Sequence, residues 1–446
     1  MDNYHNVVYI KTLGCDKNSV DSEEMLGSLL GNGFKDTDDP YKAGIIIINT
    51  CCFIEDAKKE SIDTIFNYLP LKNEGHCYCF IVTGCMAERY AGELKKELPE
   101  VDYFVGVNRI AALPVILKQS PLEKIFIGNG NNLEMHSEQR YIANDRYTAY
   151  LKISDGCDHR CTYCVIPKIR GKHHSREIRS IVNEAQSLYD HGVKELILVA
   201  QDLTQYGSDL DQNYNLATLL KVLSETIPFR WIRLLYLYPE GINQELLQVI
   251  KSHSNICHYF DMPIQHTEND ILKRMGRHID KAQIYDKVNL IRQVLPDAIL
   301  RTTIITGFPG ETNEIFSALL KSLNFLKFDR LGVFTYSREE GTPAYSMAEQ
   351  LEEKTKLERQ EQIYELQHRI TVKANQQFIG ETLEVLIDEC QEDHVCIGRT
   401  QGDAPEVDCN VIIENADLRE GQFYQIKINE VMDFDLIGEE KNEFTK

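Results

Sequence analysis

The residues with the clearest capacity for chemistry are three cysteines in the run Cys157-Asp158-His159-Arg160-Cys161-Thr162-Tyr163-Cys164. Their spacing is C-x-x-x-C-x-x-C. Three thiolates leave a tetrahedral zinc shell one ligand short, and no fourth cysteine stands nearby. Three ligands on one loop do suit a cubane iron–sulfur cluster with one iron left open. An open iron can bind a small molecule, which points to catalysis rather than to electron transfer alone. The alternatives are a zinc knuckle completed by His159 or His173, and three unrelated thiols. Residues 148–154 read as a strand running straight into the loop, a context that favours the cluster.

Three more cysteines stand just past successive predicted strands: Cys15 in Leu-Gly-Cys, Cys51 in Asn-Thr-Cys and Cys85 in Thr-Gly-Cys. Open α/β sheets bind ligands in the crevice beyond the carboxyl ends of their strands. Residues far apart in sequence can therefore meet there, and three converging thiolates again leave a cluster one ligand short. A free cysteine taken singly is as readily a small buried hydrophobe. Cys77 and Cys79 read as structural, and Cys52 makes the assignment of Cys51 ambiguous.

These side chains need scaffolds. Residues 7–12, 45–49, 79–84 and 101–106 read as strands, with helices at 20–30, 56–69 and 86–98 between them. Buried strands alternating with helices imply an open parallel sheet. A linker is expected at 128–144. Six further strands follow near 148–154, 195–200, 231–238, 258–264, 299–306 and 330–337. Helices fall at 176–191, 215–225, 244–253, 281–294 and 311–326. That alternation predicts a partial (β/α)6 TIM-like barrel, whose working face is made by the loops after the strands. A charged helix over 351–378 leads to short β-rich runs at 383–387, 395–399, 410–413, 423–428 and 431–436, as in a small antiparallel β-barrel. The fold class is thus α/β with a terminal β-barrel, and the expected domains are 1–127, 145–374 and 378–446.

Several strand-end residues of the predicted (β/α) barrel share its working face. Gln201 and Asp202 follow the second strand; Asp261, Gln265 and His266 lie at or beyond the fourth. Arg301 lies within the fifth strand, and Thr306-Gly307-Phe308-Pro309-Gly310-Glu311 follows it. Glycines there let backbone approach a ligand closely. Tyr163 either stacks on a flat ring or packs its loop, His173 and His174 read as exposed loop residues, and His266 reads as a hydrogen-bonded structural histidine.

Composition sets the bounds. The chain has 446 residues, 43% of them hydrophobic, enough for about three domains with sizeable cores. No apolar run approaches the roughly 18 residues that span a membrane, and no secretory signal pattern opens the chain, so a cytoplasmic location is expected. Thirteen cysteines in a large cytoplasmic chain argue for metal or redox ligation over disulfides. With 48 Lys/Arg against 69 Asp/Glu the net charge is −21. Such a surface disfavours strong nucleic-acid binding and suits a basic partner. From residue 381 onwards, 5 Lys/Arg face 18 Asp/Glu, a net of −13, so the terminal barrel carries more than half of the excess.

The cysteine loop resembles the cluster motif of radical S-adenosylmethionine enzymes. Leu-Gly-Cys15, Asn-Thr-Cys51 and Thr-Gly-Cys85, followed by such a barrel and a terminal β-barrel (TRAM-like), resemble the methylthiotransferases over nearly the full chain. Within that family several segments look like the RimO-type branch, which acts on an aspartate of a small-subunit ribosomal protein (protein twelve). They are 150–157, His159-Arg-Cys161, 169–172, Val199-Ala-Gln-Asp202, 233–239 and 401–408. The sibling branch, which acts on N6-isopentenyladenosine in tRNA, usually shows Lys-Tyr before the second cluster cysteine and a less acidic end barrel. Asp16 replaces the proline usual after the first cysteine, and Cys52 replaces a glycine.

The resemblance implies two 4Fe-4S clusters. One sits on Cys157, Cys161 and Cys164 with S-adenosylmethionine at its open iron. The auxiliary one sits on Cys15, Cys51 and Cys85 and supplies sulfur. It implies that a 5′-deoxyadenosyl radical takes hydrogen from the aspartate β-carbon, that a second S-adenosylmethionine supplies methyl, and that a reducing donor supplies electrons. Strand-end position and family likeness together assign Tyr163, Gln201, Asp202, Gln265 and Gly307 to the S-adenosylmethionine pocket. The terminal barrel would present the basic ribosomal protein. No side-chain catalytic base is assigned, and a non-catalytic iron–sulfur electron carrier is the remaining alternative.

Overall fold

Runs of β-branched and aliphatic residues favour extended backbone and leave water readily, and four of them build the first sheet. The structure, a computed structural model, describes residues 4–128, 140–142, 147–210, 214–391, 394–414 and 417–441. β1 (Val7–Thr12), β2 (Lys35–Asp36), β3 (Ile45–Thr50), β4 (Cys79–Gly84), β5 (Tyr103–Gly106) and β6 (Ile125–Phe126) run parallel in the order β2-β1-β3-β4-β5-β6. α1 (Asp16–Gly31), α2 (Glu55–Tyr68), α3 (Leu71–Glu74), α4 (Cys85–Glu97) and α5 (Leu113–Gln119) fill the connections. Every residue of β3 and β4 is buried, as a strand covered on both faces by helices must be. The expected helices come out at nearly the expected places; α5 was not expected.

β7 (Thr148–Lys152) opens the second unit and leads into β8 (Ser154–Asp155), which pairs antiparallel with β9 (His174–Ser175). This hairpin closes the cysteine loop at its base, with the one-turn α6 (Ile166–Ile169) inside it. β10 (Glu195–Val199) and β11 (Trp231–Leu234) join β7 in one parallel sheet; β12 (Tyr259–Asp261), β13 (Ile299–Thr306) and β14 (Arg330–Thr335) form another. A parallel bridge between Ile232 and Ile256 links the two, giving the six expected strands of an incomplete barrel. The expected third and fourth strands, 231–238 and 258–264, prove shorter. α7 (Ile178–Asp190), α8 (Leu216–Thr226), α9 (Gln244–Ser252), α10 (Asn269–Arg274), α11 (Lys281–Val294) and α12 (Asn313–Leu326) wrap the outside. Leu151, Leu198, Ile232, Leu300 and Leu319 belong to the core between strands and helices.

α13 (Glu353–Asn375) is the expected charged helix, but its buried stripe is polar: Lys356, Arg359, Gln367, Thr371 and Asn375 surround Ile363. It docks through hydrogen bonds, for example Gln367 Nε2 to Phe328 O at 2.8 Å and Arg359 Nη1 to Glu311 Oε1 at 2.6 Å. β15 (Thr382–Cys390), β16 (Cys396–Thr400), β17 (Val411–Ile413), β18 (Phe423–Met432) and β19 (Asp435–Glu440) close a barrel in the order β15-β16-β17-β19-β18. Two expectations change here. β17 and β19 pair in parallel, so the barrel is not wholly antiparallel. The runs 423–428 and 431–436 are two strands, as expected, but the turn between them lies further on, at 433–434. The first is one continuous strand to Met432, with a register shift between Ile428 and Glu430 that breaks its alternation. Cys390 and Cys396, paired across β15 and β16, form a disulfide, against the expectation that ligation would account for the cysteines.

Part of the 400–408 turn of this last barrel, from Gly402 to Ala404, enters the incomplete barrel, while Gln401, Glu406 and Val407 stay exposed. Arg233 Nη1 donates to Gln401 O at 2.8 Å, Arg330 Nη2 pairs with Asp403 Oδ1 at 2.8 Å, and Arg301 Nε meets Asp408 Oδ1 at 3.3 Å. Ala404 packs with Ile197, Trp231, Tyr259 and Ile299. The linker at 128–144 lies almost wholly outside the described residues. Among the described residues no helix is long and apolar enough to cross a membrane.

Candidate iron–sulfur and cosubstrate site

β1, β3 and β4 are neighbours in the sheet, so their carboxyl ends deliver Cys15, Cys51 and Cys85 to one edge. Gly14 has φ +88°, and a Cβ there would stand 2.6 Å from Cys51 Cβ and 3.0 Å from Cys51 Sγ. Only glycine lets the first turn come that close to the second. Asn18 ties the three segments together. Its Nδ2 donates to Leu13 O at 2.9 Å and Thr50 O at 3.2 Å, and its Oδ1 lies 3.9 Å from Cys85 Sγ. Cys51 N donates to Ser61 Oγ, which returns a bond to Cys51 O. Cys52 belongs to the apolar core with Ile65 and Met86, and burial pushes its thiol up to about 12. Asp16, at the first position of α1, suits the positive end of the helix and accepts from Tyr236 Oη at 3.0 Å.

The second cysteine loop is gripped from several strand ends. Gly156, φ +76°, leaves no room for a Cβ, which would fall 2.0 Å from Lys172 O. Cys157 N donates to Gly171 O at 3.1 Å, and Thr162 N to Met275 O at 2.9 Å. His159 Nε2 lies 2.7 Å from Asp202 Oδ2, its ring stacks on Tyr238 at 4.1 Å and 3°, and Arg277 covers Tyr238 at 4.1 Å. Tyr238 Oη is 3.9 Å from Cys161 Sγ. Burial pushes the Cys157 and Cys164 thiols up to about 12, and Cys51 and Cys85 upward as well, with Arg170 opposing burial at the last two. All six cysteines are free of disulfides. Among the described residues no three His, Cys, Asp or Glu groups converge on a single metal ion. A zinc knuckle needs its donors on one point, whereas a cubane takes each thiolate on a different iron.

Of the residues expected at the cosubstrate pocket, two keep an unused acceptor. Gln201 Nε2 donates to Asp155 Oδ1 at 2.9 Å, but its Oε1 is buried without a hydrogen-bond partner. Gln265 Oε1 is likewise buried without one, on a backbone held at φ +66°. Asp202 is committed elsewhere: its Oδ1 caps the next turn at Thr204 N, 2.8 Å, while its Oδ2 holds His159. Gly307 lies at φ +74°, and a Cβ there would meet Lys356 Cγ at 2.4 Å. Tyr163 sits edge-on to Phe308 at 6.4 Å, in an apolar cluster with Met275 and Tyr336.

Asp261 and Arg301 pair at 2.9 Å inside the barrel. His266 is fully buried and accepts from Glu268 N at 3.0 Å, while its Nε2 lies 3.3 Å from Glu311 Oε2 without a hydrogen bond. His174 is exposed, but His173 is not. It is buried against Ser175 Oγ at 3.0 Å, because β9 turns the loop back onto β8. Sequence reasoning missed Lys152, Arg170 and Arg277, since nothing local marks a basic residue as buried. Arg277 Nε and Nη1 are buried without hydrogen-bond partners.

Comparison with known proteins places the three units. Residues 7–106 match the Uncharacterized protein family UPF0004, residues 151–323 the Radical SAM superfamily and residues 379–440 the TRAM domain. The chain is 48% identical, over 97% of its length and 98% of the relative's, to a Clostridioides difficile (strain 630) protein named ribosomal protein uS12 methylthiotransferase RimO. The protein of that name from Geobacter sulfurreducens is 43% identical, over 98% of this chain and 99% of its own. Among solved structures, the radical S-adenosylmethionine methyltransferase TsrM from Kitasatospora setae superposes with a TM-score of 0.58 at 14% identity, covering 84% of this chain and 79% of its own. The cobalamin-dependent S-adenosylmethionine radical enzyme OxsB does so with 0.52 at 12%, covering 77% and 54%. These last two likenesses are of fold.

Proposed function

The chain belongs to the ribosomal protein uS12 methylthiotransferase (RimO) family, and from that premise we propose that it adds a methylthio group to the β-carbon of an aspartate in that ribosomal protein. The observation that carries the reading is the pair of cysteine triplets, each at the carboxyl edge of its own parallel sheet, free of disulfides and wrapped in fitted backbone. When bound, a 4Fe-4S cluster on Cys157, Cys161 and Cys164 with S-adenosylmethionine supplies a carbon-centred radical, and one on Cys15, Cys51 and Cys85 supplies sulfur. The residues fit those groups: burial favours the neutral form of the Cys157 and Cys164 thiols, which need a cation to become thiolates, Cys15 stands exposed beside buried Cys51 and Cys85, and soft sulfur donors suit iron.

The rest is positioning. Asp202, His159, Tyr238 and Arg277 hold the cluster loop in one shape. The unused acceptors of Gln201 and Gln265 suit the ammonium and hydroxyl donors of S-adenosylmethionine. Gly307 and Tyr163 shape the pocket wall, while Asp202 acts through His159. The division of labour follows the spans 1–127, 145–374 and 378–446. In the last of these Glu384, Asp388, Asp403 and Asp408 are consumed by Arg230, Arg399, Arg330 and Arg301. The outward acids Glu389, Glu406, Glu420, Glu430, Glu439 and Glu440 remain to meet a basic protein. A cytoplasmic site of action and a low-potential electron donor complete the reading. Mass spectrometry of uS12 and of tRNA from cells with and without this chain tests it. Methylthio-aspartate that disappears with the chain is expected; an unchanged uS12 with altered tRNA refutes it.

A further inference from the structure

The 157–173 loop does not only carry three cysteines. It ends in Arg170, whose side chain leaves its own unit and buries itself in the other. Arg170 Nη2 donates to Asn18 Oδ1 at 2.9 Å and to Asp21 Oδ2 at 2.8 Å, both on α1. Nη1 donates to Asp155 Oδ2 at 2.9 Å, two residues before Cys157. Asn18 is the side chain that ties together the turns of Cys15, Cys51 and Cys85. Asp155 Oδ1, for its part, accepts from Gly156 N at 2.8 Å, beside Cys157. One guanidinium thus stands between the two cysteine sets and is hydrogen-bonded to the organiser of each.

We propose that Arg170 is a positioning residue that couples the two triplets, fixing one sheet edge against the other and setting the charge environment of the Cys15–Cys51–Cys85 cluster. This rests on the cluster-binding reading above. The physical case is charge and shape. Arg170 is 6% exposed, and around it Lys152 is the second cation while Asp21, Glu24 and Asp155 are anions. Three thiolates added beside them make the surroundings strongly negative, and removing a buried cation would raise the energy of every further electron placed there. The planar fork is also the group that can serve Asn18, Asp21 and Asp155 together; an ammonium has the charge without the fork. Arg170 acts on Cys85 and Cys51 in the sense expected of such a cation, opposing the burial that raises their thiols.

The test uses full-length, anaerobically reconstituted protein carrying Cys161→Ala, so that the N-terminal cluster is read alone. Its midpoint potential and iron content are measured in Arg170→Met, Arg170→Lys and the compensated Arg170→Met/Asp21→Asn. The expected result is a midpoint shifted to more negative potential in Arg170→Met, and a return toward the parent value in Arg170→Lys and in the charge-compensated double. A purely structural role would not restore the potential with the charge. Full iron and an unmoved midpoint in a folded Arg170→Met protein, or a compensated double shifted as far as Arg170→Met, overturns the proposal. Absence of any cluster in the Cys161→Ala parent would instead count against the cluster-binding reading itself.

Discussion

Replacing Gly14 by alanine puts the fitted cysteine edge under direct strain. At φ +88° a side chain is disfavoured by about 1–2 kcal/mol whatever the space around it. The new methyl would also stand 2.6 Å from Cys51 Cβ, closer than real carbons approach, so one of the two turns must move. Overpacking of this kind costs about 1–3 kcal/mol. If the strain is relieved by moving Cys51 away from Cys15, about 2–5 kcal/mol is set against cluster binding at that edge. At 1.4 kcal/mol per tenfold, that weakens iron retention there by roughly thirty-fold to a few thousand-fold. Gly33→Ala is the matched control: its φ is +90°, but nothing lies within 4 Å of the added carbon. The assay is iron per chain after anaerobic reconstitution and desalting. Gly14→Ala should hold about half the iron of the parent, because the Cys157–Cys164 set is untouched. Gly33→Ala should hold all of it while losing about 1–2 kcal/mol of stability. Full iron in Gly14→Ala, or an equal loss in both, would refute the reasoning.

Gly156→Ala makes the reciprocal case, since its Cβ would fall 2.0 Å from Lys172 O; it should keep the N-terminal iron and lose reductive cleavage of S-adenosylmethionine, measured as 5′-deoxyadenosine. Cys51→Ala should lose about half the iron, whereas Cys52→Ala should lose little, because Cys52 is fully buried in the apolar core with Ile65 and Met86. Glu195 anchors the terminal barrel through Arg399 at 2.8 Å and Arg233 at 2.7 Å. Burial opposes its charge, yet the two arginines hold its carboxyl down to about 2. Its folded value thus lies below the unfolded one, so its contribution, on the order of 3 kcal/mol, is present above about pH 4.5 and lost as pH falls toward 2. Urea unfolding at pH 7 and at pH 3 should show a smaller difference in Glu195→Gln than in the parent; identical differences would dismiss the anchor.

The cysteine triplets were legible because their meaning is local. A C-x-x-x-C-x-x-C loop shows its three candidate ligands in its spacing, and each N-terminal cysteine follows a β-rich run that reads as a strand. The sheet and barrel followed from the alternation of such runs with helices. Where backbone geometry departed from period two, at the Ile428–Glu430 irregularity, the pattern misled and the turn between the last two strands was read at 429–430, whereas the chain turns at 433–434.

Spacing and periodicity alone therefore singled out the two cysteine triplets and the strand ends they follow. Only the tertiary structure decided where the charges go. Arg170, Arg233, Arg301, Arg330 and Arg399 look like surface residues in one dimension, and Gln401-Gly402-Asp403 looks like an exposed turn. The arginines are buried or largely so, and Gly402 and Asp403 are drawn inside, because partners far along the chain neutralise the charges. Asp21 does so for Arg170 at 2.8 Å, and Asp403 for Arg330 at 2.8 Å. A charge enters a low-dielectric interior when an opposite charge and hydrogen bonds are already in place, and that condition is a property of the fold, not of any local stretch of chain.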